Sequence, residues 1–125
     1  MTLNTPSALQ GIKVLDLSRV LAGPWSTQIL GDLGADVVKI ESFDGDDTRQ
    51  WGPPFIESEN TRDSAYYLST NRSKRSIAVD LSKPQGAQII RDLALKADVL
   101  IENFKVGGLK KYGLDEPSIR ALNSK

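Results

Sequence analysis

The run Ile12-Lys13-Val14-Leu15-Asp16-Leu17 reads as a short buried strand, and Ser18-Arg19-Val20-Leu21-Ala22-Gly23-Pro24 carries it directly into a helix start. Ile12, Val14, Leu15 and Leu17 are apolar, and two of these four are β-branched, which suits a pleated, half-buried backbone. Pro24 fits the first turn of a helix, where its missing N–H costs nothing. Trp25, Ile29 and Leu33 follow at helical spacing and form one apolar stripe. Gly34 suits a left-handed helix cap, and residues 36–40 read as a second strand. The unit is strand, helix, strand, the building block of a parallel sheet.

Reading outward, a second unit of the same kind follows. Residues 41–63 read first as a long surface loop, because Asp44-Gly45-Asp46-Asp47 and Gly52-Pro53-Pro54 break any periodicity. Trp51 and Phe55 argue that the loop is ordered and packed on the domain. A helical turn is predicted at 65–68, a polar turn at 71–75 and a third strand at 76–81. Pro84 then opens a long helix with Ala87, Ile90, Ala94 and Ala97 on one face, and Ile89 and Leu93 beside it. A fourth strand is predicted at 98–101, a short helix from Gly107-Gly108 to Tyr112, and another from Pro117 to the chain end. A weak repeat supports this order. Val14-Leu15-Asp16-Leu17-Ser18-Arg19 resembles Ala78-Val79-Asp80-Leu81-Ser82-Lys83, and Ala35-Asp36-Val37-Val38-Lys39-Ile40-Glu41 resembles Ala97-Asp98-Val99-Leu100-Ile101-Glu102. The expected class is α/β, with a parallel sheet and helices on both faces, ending after two βαβ units.

Composition removes several functions. Lys and Arg number 16 and Asp and Glu number 16, so no net field draws the chain to nucleic acid or to an anionic membrane. There is no cysteine and no histidine, which leaves carboxylates, Lys, Tyr and backbone groups as the available chemistry; no metal site is expected. The first ten residues lack the pattern of a secretory or transit signal, and no apolar run approaches the ~20 residues that span a bilayer. The expectation is a soluble intracellular protein, cytoplasmic by its sequence.

Open parallel sheets bind ligands beyond the carboxyl ends of their strands. Those ends carry Ser18 to Pro24, Glu41-Ser42, Ser82-Lys83-Pro84 and Asn103-Phe104-Lys105. Three of the four include a basic residue beside a turn or helix start, a combination that suits a phosphate group. Lys110 and Lys111 could reach the same rim. Taken singly, each of these cations also reads as ordinary solvated surface charge. A nicotinamide or flavin site would need G-x-G-x-x-G after the first strand; only Gly23 is present, although Glu41 ends the second strand as a ribose-binding acid would. No P-loop motif occurs. Arg72, Lys74 and Arg75 are dense enough to hold phosphate, but read more simply as a charged turn. Asp16 and Asp80 read as hydrogen-bonded structural carboxylates, and Trp25, Trp51, Phe55, Tyr66 and Tyr67 as packing residues.

Four ordered stretches resemble the class III CoA-transferase family, which includes formyl-CoA transferase, carnitine CoA-transferases and α-methylacyl-CoA racemase. They are Leu9 to Pro24, Gly31 to Glu41, Asn71 to Leu81 and Ala97 to Phe104. Gly45-Asp46-Asp47-Thr48-Arg49, Trp51 to Phe55 and Tyr66-Tyr67-Leu68-Ser69 look most like members that move CoA from succinyl-CoA to glutarate. The resemblance implies a Rossmann-like sheet, with residues 1–125 as the N-terminal part of a larger domain. It implies CoA contacts from Arg19, Val20, Leu21 and Ala22, from Ser42, from Val79 to Lys83, from Asn103, Phe104 and Lys105, and from Lys111 and Tyr112. Some relatives carry Gln at the place of Leu21, a basic residue at Ser42 and Arg at Lys111. It implies one Asp nucleophile that attacks the acyl-CoA and then carries CoA as a thioester, lying beyond Lys125, so no catalytic residue is expected here. CoA and acyl-CoA are then substrates, with no permanently bound cofactor. A carboxylic acid is the second substrate, the full-length form is an interlocked homodimer, and the mitochondrial matrix becomes an alternative location. An acyl-CoA racemase and a non-catalytic fragment remain the alternative functions.

Overall fold

Strand β1 (Lys13–Asp16) sends Leu15 to one face of a sheet and Val14 and Asp16 to the other, and the two sides collect different partners. In the computed structural model, which describes residues 6–125, β1 lies in the middle of four parallel strands. The others are β2 (Asp36–Glu41), β5 (Lys74–Ala78) and β6 (Val99–Ile101), in the spatial order β5-β2-β1-β6. Val14 pairs with Val37 on one side and Val99 on the other, and Val37 pairs with Lys74. Counting only these strands, the order is third, second, first, fourth. The chain therefore reverses its direction of travel between β1 and β6, and the first half of a doubly wound sheet is in place.

Helices cover both faces. On one, α3 (Pro84–Ala94) brings Ile90 and Ala94 against Leu15, Leu17, Ile40 and Val79, and Leu109 and Leu114 close that core. On the other, α1 (Ala22–Asp32) covers Val14, Ala35 and Val37 with Leu30. A last helix, α4 (Glu116–Leu122), packs on α3 and stops before the chain end, where Asn123 donates to the carbonyls of Ala94 and Ala97. The repeat has a structural counterpart. Ser18 donates its backbone N–H and its hydroxyl to Asp16 Oδ1, and Ser82 does the same to Asp80 Oδ1.

Several expectations need correction. Residues 41–63 are not a plain loop: they hold a short 3-10 turn (Asp47–Gln50) and a hairpin of β3 (Phe55–Ser58) with β4 (Thr61–Ser64), followed by α2 (Ala65–Thr70). The hairpin strands are mostly exposed and polar, so they lack the alternation that marks a half-buried strand. The third sheet strand begins at Lys74 and ends at Ala78, earlier than the predicted 76–81. Its first two residues are charged but serve the sheet: Lys74 is buried against Asp16, and Arg75 grips Asp36. The stripe on α1 faces outward, with Trp25, Ile29 and Leu33 each about half exposed, while Pro24, Thr27 and Gln28 are buried. The aromatic residues of the inserted segment do pack: Trp51 meets Tyr66 edge-on at 5.3 Å, Arg62 covers Phe55, and Tyr67 is buried.

Candidate functional site

At the carboxyl end of β1 the chain leaves the sheet through Ser18, Arg19 and Val20 and enters α1. Asn103, just past β6, holds this exit. Arg19 N–H donates to Asn103 Oδ1 at 2.8 Å, and Asn103 Nδ2 donates back to the Arg19 carbonyl at 2.7 Å. The two strands on either side of the switch point are thus tied end to end. The Arg19 guanidinium lies over the Phe104 ring, 4.8 Å from its centroid. After β2, the Ser42 hydroxyl and carbonyl close a turn with Gly45. After β5, Val79 N–H donates to the Glu41 carbonyl, and the Asp80–Ser82 turn leads to Lys83 and the start of α3.

These strand ends enclose a cleft of about 400 Å³, lined by Leu17, Arg19, Ser42, Val79, Phe104 and Tyr112 among others. Of the residues singled out from the sequence, Arg19, Ser42, Val79, Asp80, Leu81, Ser82, Phe104 and Tyr112 line it directly. Val20 and Asn103 adjoin it through the Arg19 turn. Lys111 does not line it, but its Nζ lies 4.8 Å from the centre of the ring of Tyr112, which does. Leu21 and Ala22 form the entry of α1 and Lys83 that of α3, and none of the three lines the cleft. Lys105 opens instead on a larger hollow of about 800 Å³ between β6 and α4. That hollow follows the edge of the sheet and is mainly a flank of β6; the strand-end cleft is where turns, helix starts and cations converge.

Sequence reading missed four lining residues, Leu17, Ile40, Phe43 and Asp44. Phe43 is 76% exposed, unusual for a large aromatic side chain, and it stands at the mouth of the cleft. It also missed the polar layer beneath the site, on the α1 face of the sheet. Lys39, fully buried, donates to Asp46 Oδ2 at 3.0 Å and to the Ser18 carbonyl at 2.9 Å. Strand parity was the available signal, since Lys39 shares the inward face of β2 with Val37. Lys74 Nζ meets Asp16 Oδ2 at 3.0 Å, the Pro24 carbonyl and Asn71 Oδ1, and Thr27 donates to the same Asp16 oxygen. Burial pulls the Lys74 ammonium down, and Asp16 opposes the shift. The basic cluster Arg72, Lys74 and Arg75 is therefore engaged with Asp32, Asp16 and Asp36, as a structural turn-and-strand element.

Glu41 is likewise engaged. Arg49 donates to both of its oxygens, and Ser76, Tyr67 and the Asp46 N–H add further hydrogen bonds. Burial alone would raise its carboxyl pKa, but these donors outweigh burial and hold it at about 2. A carboxylate so fully used has no free acceptor for a ribose, which removes the nicotinamide reading. Asp46 is lowered in the same way: burial opposes ionisation, and Thr48 and Lys39 more than offset it. Asp16 and Asp80 are held by their serines, as expected of structural carboxylates. Among the described residues, no helix is long and apolar enough to cross a membrane, and no group of His, Cys, Asp or Glu is placed to hold a metal ion.

The comparisons with known proteins agree with this geometry. The chain is 56% identical over 125 residues to the succinate–glutarate CoA-transferase of Agrobacterium fabrum, covering 98% of this chain and 31% of that protein. It is 53% identical over 113 residues to the human succinyl-CoA:glutarate CoA-transferase, covering 90% of this chain and 25% of that one. A crystal structure of a CAIB/BAIF family protein from Brucella suis superposes with a TM-score of 0.92 at 55% identity, over 95% of this chain and 32% of that chain. The chain thus spans about a third or less of the length of these relatives. The profile of CoA-transferase family III matches residues 9–125. On sequence, sheet order and superposition together, the chain belongs to CoA-transferase family III.

Proposed function

We propose that residues 1–125 supply part of the CoA-binding site of a CoA-transferase, as the N-terminal part of its large domain. The observation that carries this reading is the strand-end cleft, where Arg19, Ser42, Val79 and Phe104 come together from four different strand ends. Among the described residues Arg19 makes no ion pair with a carboxylate, so its guanidinium is available to a phosphate. Lys111, over the Tyr112 ring, offers a second cation, and the exposed ring of Phe43 offers an apolar plate to the adenine. Val79, Leu17 and Tyr112 supply the apolar wall. The relatives' names support succinyl-CoA as donor and a dicarboxylate such as glutarate as acceptor. The nucleophile of the whole enzyme is an aspartate outside this chain. Its carboxylate attacks the acyl-CoA and expels CoA thiolate as a mixed anhydride forms, and the thiolate returns to the aspartyl carbonyl and releases the donor acid. The acceptor acid takes CoA from the resulting thioester by the same two steps in reverse. No permanently bound cofactor takes part. The working enzyme is an intracellular homodimer of longer chains, and the outward stripe of α1 is a surface such additional protein would cover.

Isothermal titration of the purified protein with CoA and with NAD tests the reading. CoA is expected to bind and NAD to bind at least tenfold more weakly, since NAD lacks the 3′-phosphate. Equal or tighter binding of NAD overturns it.

A further inference from the structure

Val20 has φ of 70°, in the left-handed region that a β-branched residue enters only when its surroundings compel it. Two grips hold the turn. Asn103 brackets Arg19 on one side, as described. On the other, Asp46 Oδ2 accepts the Val20 N–H at 3.3 Å, while Lys39 Nζ holds both that oxygen and the Ser18 carbonyl. Asp46 is itself fixed, because its Oδ1 accepts the N–H and the hydroxyl of Thr48. Lys39 and Asp46 are almost wholly buried, and neither lines the cleft. A buried ion pair generally contributes no more stability than an apolar pair of the same volume. This one touches the backbone on both sides of Arg19.

We propose that Lys39 and Asp46 form a positioning pair that holds the Ser18–Val20 turn in its strained shape and so presents Arg19 to the phosphate of the ligand. The proposal rests on the CoA-binding reading above. Without the pair, Val20 relaxes to negative φ, the peptide between Arg19 and Val20 turns, and the bracket with Asn103 opens. The guanidinium then loses its place over Phe104.

A mutant cycle tests this in the purified protein. The double variant Lys39→Met with Asp46→Asn removes the charges together and leaves neither ion unpaired. CoA affinity is expected to fall about tenfold, as for loss of one charge-assisted contact. Arg19→Ala is expected to cause a similar fall, and combining it with the pair variant should add almost nothing, because both act through one side chain. Val20→Asn, which tolerates left-handed backbone, should restore most of the affinity to the pair variant but none to Arg19→Ala. Additive losses, or an unchanged affinity in the pair variant, would overturn the proposal. If the pair variant is too unstable to titrate, Val20→Asn should raise its melting temperature; failure to do so also overturns the proposal. If the unaltered protein does not bind CoA, the proposed function fails, while the melting comparison still reads the brace.

Discussion

Arg49 reaches from the 3-10 turn to the end of β2 and holds Glu41 with two hydrogen bonds, Nε at 2.8 Å and Nη2 at 2.7 Å. The same guanidinium lies 3.8 Å from the centre of the Tyr67 ring and donates to Asp63 in β4. One side chain therefore joins the sheet, the hairpin and α2. This arrangement gives the first prediction a definite sign. Glu41 is lowered from 4.5 to about 2 in the folded protein. A lowered carboxyl pKa contributes stability that is fully present above the unfolded value and is lost as pH falls through the folded one. Thermal melts across acid pH are expected to show stability declining between about pH 4.5 and about 2. Arg49→Met should flatten that decline. An unchanged acid slope in the variant would show that the pair does not set it.

The second prediction separates two neighbouring cations. Neither lysine lines the cleft, but Lys111 lies over the ring of Tyr112, which does, whereas Lys110 lines the hollow beside β6. Lys111→Ala is expected to weaken CoA binding about tenfold and Lys110→Ala much less. The difference should shrink as salt rises, since a rim contact is screened. Titration at two ionic strengths decides it, and equal affinities in the wild type and Lys111→Ala would remove Lys111 from the site.

The third concerns covalent chemistry. Asp16, Glu41 and Asp46 are buried and engaged by hydrogen-bond donors, and Asp80 is held in its serine turn. None of these carboxylates is free to attack a thioester. Because the nucleophile is placed outside this chain, incubation of the chain with succinyl-CoA followed by mass spectrometry should find no CoA adduct, even on Asp44, an exposed carboxylate that lines the cleft. An adduct on any Asp or Glu of this chain would overturn the assignment of the nucleophile to residues outside it.

The fourth follows from the outward face of α1. Trp25, Ile29 and Leu33 lie 54%, 49% and 46% exposed along one helix. A continuous apolar strip of this kind promotes association. The unaltered chain is expected to bind a hydrophobic dye and to self-associate, with a broad thermal transition by near-UV circular dichroism. Trp25→Gln with Ile29→Gln should reduce both dye binding and association without lowering the melting temperature, since neither residue is buried. A large drop in melting temperature would show that the strip packs on the domain after all.

Much of this was legible in the sequence. β1, β2 and β6 announce themselves as short β-branched runs between glycines and helix signals, and the core residues Leu15, Ile40, Ile90 and Ala94 occupy the predicted strands and helix. The strand ends pointed to the cleft, because a parallel sheet places its loops there. What stayed hidden were positions where charge substitutes for apolar packing. Lys39 and Lys74 sit inside the fold, and a lysine in a sequence reads as surface unless its partner is known; Asp46 and Asp16 are 7 and 58 residues away. The hairpin was invisible for a related reason, since its strands are held by backbone pairing and by Arg62 with Glu57 and with Phe55. The orientation of α1 was not legible, because its apolar stripe lies outward and the helix is docked by hydrogen bonds of Thr27 and Gln28.

That reversed helix divides its own sequence into two vocabularies. Inward positions answer to fixed partners: Thr27 donates to Asp16, and Gln28 donates to the Ser69 carbonyl and accepts the Arg72 N–H. Replacing either strands a buried polar group, so these sites tolerate little change. Outward positions are about half exposed and carry no such obligation within the described residues. Drift at Trp25, Ile29 or Leu33 can therefore change the character of this face while the sheet and its cleft stay as they are.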